Sequence, residues 1–178
     1  MPSLTIQDIV EIKTFLKNTE EYPYFIETGT LVGDTLYNLR PYFERLKSVE
    51  LLPQFYGVAT QRKTNEHWYN VDLYHGDSSV VLPTMLEGLN GNIIFFLDGH
   101  RSGGEANTTY KDVPLIEELQ IIKNSNRKYN DIIIIDDFGL FGTVNAENWK
   151  EITLDNVCKI LDNRTYHTIN NRLIIANQ

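Results

Sequence analysis

Two short apolar runs that stop at carboxylates limit what this chain can fold into more than any other feature. Asn92 to Leu97 ends at Asp98, and Ile132 to Ile135 ends at Asp136 and Asp137. Runs of β-branched and aromatic residues with no polar alternation read as strands covered on both faces, the pattern of a parallel sheet. Each run then delivers its acids to one edge, and open α/β sheets bind ligands at the carboxyl ends of their strands.

The rest of the chain supplies the other layers. Ile6, Ile9, Val10, Ile12, Phe15 and Leu16 recur at helical spacing, which predicts an amphipathic helix over Thr5 to Asn18, closed by Pro23. Tyr24 to Glu27 reads as the first strand, Asp34 to Leu46 as a helix interrupted at Pro41, and Ser48 to Leu51 as the second strand. Pro53 to Thr64 is a weaker helix, Val71 to His75 the third strand, and Ser79 to Leu89 a helix in spite of Pro83. Asn92 to Leu97 and Asp131 to Ile135 flank a helix over Pro114 to Asn124, which has proline in its first turn. Trp149 to Leu161 forms the last helix, and Tyr166 to Ile169 with Leu173 to Ala176 form a hairpin around Asn170 and Asn171. Strands alternating with helices imply right-handed crossovers and helices on both faces of the sheet.

Composition narrows the class of function. With 178 residues, 42% of them hydrophobic, the chain has enough material for one domain over 1–178, with 1–20 as a helix packed on the core. A formal charge of -8 lacks the clustered Lys and Arg of a nucleic-acid footprint. Cys158 is the sole cysteine, so a disulfide framework within the chain is excluded, and it reads as a small buried hydrophobe. The first residues lack a basic start followed by an apolar run, and no stretch reaches the roughly 20 apolar residues of a membrane span. The expectation is a soluble, cytoplasmic protein that acts without a membrane.

The segment Phe25 to Thr35 is a strand entering a glycine-containing turn and then a helix. Gly29 and Gly33 leave room for backbone amides to approach a ligand, and a helix starting near Asp34 aims its positive end there. Such a turn suits either a pyrophosphate or the carboxylate of an amino acid. Glu27, at the end of the first strand, would repel a pyrophosphate and accept hydrogen bonds from an ammonium. Glu50 ends the second strand, the usual place for a carboxylate that receives ribose hydroxyls. An adenosyl group joined to a zwitterionic amino acid satisfies both. Neither G-x-x-x-x-G-K-[ST] nor G-x-G-x-x-G occurs, which weakens the triphosphate and dinucleotide readings.

The run Glu27-Thr28-Gly29-Thr30-Leu31-Val32-Gly33-Asp34-Thr35 resembles motif I of class I S-adenosylmethionine-dependent methyltransferases, in the E-x-G-x-x-x-G-x-[ST] form of small metal-dependent O-methyltransferases of the catechol, caffeoyl-CoA and macrolide-sugar types. Glu50, Gly76-Asp77-Ser78, Asp98 and Asp136-Asp137 follow in the order of that family. The resemblance implies a Rossmann-like α/β three-layer sandwich whose mostly parallel seven-stranded sheet ends in an antiparallel hairpin. It also implies cofactor roles: Glu27 facing the methionine amino group, Gly29, Thr30 and Gly33 the turn, Thr35 the methionine carboxylate, and Glu50 the ribose. Asp77 and Ser78 would lie near the adenine, with Asp98 beside the cofactor. Asp98, Asp136 and Asp137 would share a divalent cation, Mg²⁺ being suited to oxygen ligands, which would position and acidify an acceptor hydroxyl.

His100 stands two residues beyond Asp98, where a neutral imidazole could take the acceptor's proton. Catechol-type relatives carry a lysine three residues after that acid, where this chain has Arg101, a poor base; macrolide-sugar relatives carry a histidine at the position of His100. Asp98 and His100 are therefore the expected catalytic pair, while His67, His75 and His167 read as structural. The polar loop Gly99 to Val113, with Ser102, Asn107, Thr108 and Thr109, offers hydrogen bonds rather than an aromatic slot, favouring a glycan or other small polyhydroxylated acceptor. Part of the acceptor pocket would come from that loop or from a second copy of the chain in a homo-oligomer. An NAD-dependent oxidoreductase and a noncatalytic S-adenosylmethionine-binding module are the competing classes.

Overall fold

In the computed structural model, residues 3–100, 112–144, 147–162 and 164–177 are described. Seven strands form one sheet: β1 (Tyr24–Thr28), β2 (Arg45–Glu50), β3 (Val71–His75), β4 (Ile93–Leu97), β5 (Ile132–Ile135), β6 (Arg164–Ile169) and β7 (Arg172–Asn177). Their spatial order is β3-β2-β1-β4-β5-β7-β6; the first five run parallel, and β7 is antiparallel to both β5 and β6. The expected mixed seven-stranded architecture is the one found. The chain winds outward from β1 through β2 to β3, then returns to place β4 on the other side of β1. That reversal between β1 and β4 opens the crevice in which ligands bind to sheets of this kind.

Side chains alternate strictly across the sheet, so one strand feeds two cores. Phe25, Leu46, Phe96, Ile134 and Ile174 pack with α1 (Ile6–Phe15) and α2 (Asp34–Leu39) on one face. On the other, Ile26, Val49, Phe95, Ile133 and Ile175 meet α4 (Ser78–Leu86), α5 (Leu115–Asn124) and α6 (Leu154–Ile160). The helix α3 (Pro53–Asn65) lies beside β2 and β3. Among the described residues no helix is long and apolar enough to cross a membrane.

The largest departures from the expected boundaries have local reasons. The helix predicted over Asp34 to Leu46 stops at Leu39: Arg40–Tyr42 is a 3-10 turn holding Pro41, and Leu46 already lies in β2. Leu46, Lys47 and Ser48 are all buried there, which hides the alternation a strand would show. The final helix begins at Leu154 rather than Trp149, because Thr153 is its N-cap and accepts from the Asn156 amide, while Trp149 and Ile152 are held by turn bonds around Gly142. At the hairpin, Asn170 and Asn171 both take positive φ (49° and 63°), the two-residue loop that matches strand twist. Most of the Gly99 to Val113 loop, including Arg101, Ser102, Asn107, Thr108 and Thr109, lies outside the described residues.

Candidate active site

The strand ends assemble a rim of carboxylates, built differently on its two sides. On the β1–β2 side, Glu27 is 1% exposed and its Oε2 accepts the Ser48 hydroxyl at 2.7 Å, Ser48 being its register partner on β2. Thr30 Oγ1 bonds Ser48 Oγ at 2.6 Å, and the Thr35 hydroxyl also serves the Glu27 carboxyl. Burial pushes Glu27 up to about 8, against the Ser48 hydrogen bond and with help from the Asp98 charge. Glu50 is anchored through backbone amides: Leu31 N donates to Oε2 and Leu52 N to Oε1, each at 2.8 Å. Each oxygen keeps a lone pair for a further donor.

The turn after β1 is shaped by its neighbours more than by an open cradle. A Cβ on Gly29 (φ 87°) would lie 2.3 Å from the Asp98 carbonyl oxygen, so glycine is what lets the ends of β1 and β4 close up. At Gly33 (φ 81°), the N-cap of α2, the neighbour is the Trp68 ring at 3.1 Å. The helix α2 has only six residues, so the positive end expected to face a ligand is short. Of the residues expected near adenine, Asp77 caps α4, accepting the Ser79 amide at 2.8 Å and its hydroxyl at 2.6 Å, and Ser78 donates to Glu118 at 2.5 Å.

On the β4–β5 side, His100 is surrounded by acids. Its Nε2 lies 3.1 Å from Asp98 Oδ1 and 3.2 Å from Asp137 Oδ2, and its Nδ1 lies 3.0 Å from Glu147 Oε2. Trp149 Nε1 donates to the same Glu147 oxygen at 2.9 Å and fixes it. The Nε2 contacts are ion pairs rather than aligned hydrogen bonds, since among the described residues neither that nitrogen nor Asp98 Oδ1 has a partner at hydrogen-bond geometry. Burial works against charge on the ring, but the close Asp98 and Glu147 carboxylates outweigh it, and His100 is pushed up to about 9. The neutral imidazole expected from sequence is therefore the minority form at neutral pH. Asp98 and Asp137 are both raised, first by burial and then by the repulsion of the neighbouring acids, while His100 pulls them back.

The three aspartates expected to share a cation do not converge. Asp136 turns away, its Oδ1 accepting the Asp137 amide at 3.0 Å and meeting Arg172 Nε at 3.4 Å, so that its charge is already matched. Asp137 adopts a left-handed conformation (φ 54°) that aims its carboxylate at His100. The hairpin tip holds it there: Phe138 N donates to the Asn171 carbonyl, Gly139 N to Asn171 Oδ1, and Asn171 Nδ2 to Asp137 Oδ1. Among the described residues no group of three His, Cys, Asp or Glu side chains is set to hold a metal ion. The residues present do not fit the three-carboxylate cation site.

Sequence reasoning missed Glu147, which is remote in the chain and carries no local pattern, and Glu118. The second had a signal: Leu115, Glu118, Leu119 and Ile122 form an i, i+3, i+4, i+7 stripe, so Glu118 occupies a core position of α5.

Solved structures share this architecture at low sequence identity. The O-methyltransferase TomG from Streptomyces achromogenes, involved in tomaymycin synthesis and in complex with SAM, matches with a TM-score of 0.62 at 15% identity, over 94% of this chain and 79% of its own. The SAH-bound methyltransferase PaMTH1 from Podospora anserina matches at 0.61 and 14%, over 87% and 71%. The fold is the Rossmann-like methyltransferase fold. An rRNA methylase from Streptococcus thermophilus has it too, at 0.57 and 16% identity over 96% and 95% of the two chains, so the methyltransferase fold by itself leaves the acceptor open. No family model matches the chain, and no curated protein matches it by sequence.

Proposed function

We propose that this protein transfers a methyl group from S-adenosylmethionine to a hydroxyl of a small polyhydroxylated acceptor or glycan. The observation that carries the reading is Glu27, a carboxyl buried at the end of β1 beside Asp98 and Glu50, whose ionisation no cation among the described residues supports. A ligand that brings an ammonium and a diol to this place relieves both acids, whereas a pyrophosphate would add negative charge to them.

When bound, S-adenosylmethionine supplies an electrophilic methyl on a positively charged sulphur. The chain's own contribution is division of labour along the rim. Glu27 receives the ammonium and gives up its proton in doing so. Glu50, held by the Leu31 and Leu52 amides, directs its free lone pairs at the ribose hydroxyls. The Asp98–His100–Asp137 cluster orients the acceptor hydroxyl and takes its proton through the fraction of His100 that has lost its own. The negative potential of Asp98 and Asp137 favours a sulfonium nearby. A divalent cation is left out of this reading because Asp136 is committed to Arg172.

Calorimetric titration with S-adenosylhomocysteine tests the proposal. Saturable binding at one site per chain is expected, weakened in Glu50→Ala by about 1 to 3 kcal/mol, the range for hydrogen bonds to a charged group. Absence of binding to the wild type, or unchanged affinity in the variant, defeats it.

A further inference from the structure

Among the described residues, Glu118 is the least exposed carboxylate that the proposed chemistry does not use. Residues Glu27 and Thr28 of β1 send their side chains to opposite faces of the sheet. Glu27 faces α2; Thr28 faces α5, where Glu118 lies. At 1% exposure, Glu118 Oε1 accepts the hydroxyl of Ser78, itself 6% exposed, at 2.5 Å. A Cβ placed on Gly99 would be 2.9 Å from that same Oε1 and 2.9 Å from Thr28 Oγ1. Thr28 Oγ1 is buried, and among the described residues it has no hydrogen-bond partner at good geometry. One carboxyl thus stands where three strand-end segments meet: Thr28 ending β1, Ser78 opening α4 after β3, and Gly99 following β4. With Asp98, Gly99 and His100 it also borders a cavity of about 10 Å³, room for roughly one water.

A glutamate buried in a helix stripe where leucine would satisfy the core carries a desolvation cost that the Ser78 hydrogen bond offsets only in part. Burial raises Glu118 to about 7 while the Ser78 hydrogen bond pulls the other way, so the group titrates near neutral pH. Core packing alone gives no reason for a carboxyl here. What it meets outside α5 are the strand-end segments that carry Thr28, Ser78 and Gly99, at the edge where Glu27, Glu50 and Asp98 also stand.

We propose that Glu118 is a positioning residue for the nucleobase of the donor, fixing the Ser78 and Gly99 segments at the spacing that selects adenine. This rests on the donor reading above. It assigns to α5 a part in cofactor selection, exercised through the segments it holds rather than by contact with the reacting atoms.

The test compares wild type, Glu118→Gln, Glu118→Ala and Ser78→Ala by titration with S-adenosylhomocysteine and with S-inosylhomocysteine, in which an oxo group replaces the 6-amino group. Glu118→Gln, whose amide oxygen still accepts from Ser78, is expected to keep wild-type preference within about twofold, and Glu118→Ala to bind the adenosyl compound about tenfold more weakly, the order of one lost buried hydrogen bond. The inosyl compound should lose far less, so the preference collapses. Ser78→Ala should reproduce the loss and add nothing to Glu118→Ala, as for two ends of one interaction. Equal losses for both compounds mean a merely structural role and overturn the inference; so does unchanged preference. If Glu118→Ala fails to fold, Ser78→Ala set against Glu118→Gln decides between the same outcomes. A wild type that binds neither compound defeats the donor reading first, whereas a wild type that binds both equally defeats only this inference.

Discussion

The two sides of the rim reach similar chemistry by opposite construction. On the β1–β2 side, Glu27 and Glu50 are fixed by neighbours on the adjoining strand or within their own turn: the Ser48 hydroxyl, the Leu31 amide and the Leu52 amide. On the β4–β5 side, Asp98, Asp137 and Glu147 come from separate segments and meet on one imidazole. The first arrangement is set by register and backbone, and charge is its by-product. The second holds Asp137 and Glu147 by hydrogen bonds from the hairpin tip and Trp149 but joins them only through charge, so their contacts follow the protonation of His100. Under the proposed function the first is a binding half and the second a reacting half, and the two should respond differently to the same perturbations.

The largest separation is expected from His100→Asn. Removing a general base costs typically 10²- to 10⁴-fold in turnover, and the effect should fall on the rate while S-adenosylhomocysteine affinity stays within about twofold. The wild-type rate should climb as pH approaches about 9, where the ring gives up its proton, and the variant should lose that limb. A parallel drop in affinity would show that the halves are not separate. Gly29→Ala probes the joint between them, since the added carbon would lie 2.3 Å from the Asp98 carbonyl at a φ of 87°. Overpacking together with a left-handed alanine predicts a stability loss of about 3 kcal/mol by urea unfolding, and a loss below about 1 kcal/mol would mean that β1 and β4 can part cheaply.

The smallest effect is a proton count. Glu27 is raised above its ordinary 4.5 to about 8, so the ligand-free protein keeps this proton where an unfolded chain has lost it. The stability it contributes is complete below about 4.5 and is lost as pH rises through about 8. Under the proposed donor reading, an incoming ammonium reverses the preference and expels the proton. Titrations near pH 7 in buffers of different ionisation enthalpy should register release of up to about one proton, shrinking toward zero well above pH 8 and in Glu27→Gln. Equal release from the variant would assign the proton elsewhere.

The same contrast explains what the sequence made legible. Glu27, Glu50, Asp98, Asp136 and Asp137 could be placed because a strand that ends at an acid carries its position in its own pattern. Where Asp136 points could not be read, because its partner Arg172 lies 36 residues away and only the pairing of β7 with β5 brings them together. Nor could the company of His100, for Glu147 arrives from a segment with no periodic signal. The start of β2 was concealed because burial of Lys47 and Ser48 removes the alternation on which strand reading depends; Lys47 reaches the carbonyls of Met85 and Glu87, which end α4. Glu118 was legible in principle from its apolar stripe, which puts a carboxyl at a core position of α5 where charged residues rarely stand.

Arg172 joins distant parts of the molecule. Its guanidinium meets Asp136 below the reacting edge and, through Nη1, Asp8 at 3.3 Å, the residue that closes the capping box of α1. The opening helix is thereby moored to the machinery at the far end of the sheet. Any partner, modification or crowding that pried α1 loose would take away the Asp8 carboxylate that helps fix the Arg172 guanidinium, and the loosened contact with Asp136 would pass through the Asp137 amide to the imidazole. A helix outside the carboxylate rim could in this way act as a throttle on the proposed reaction.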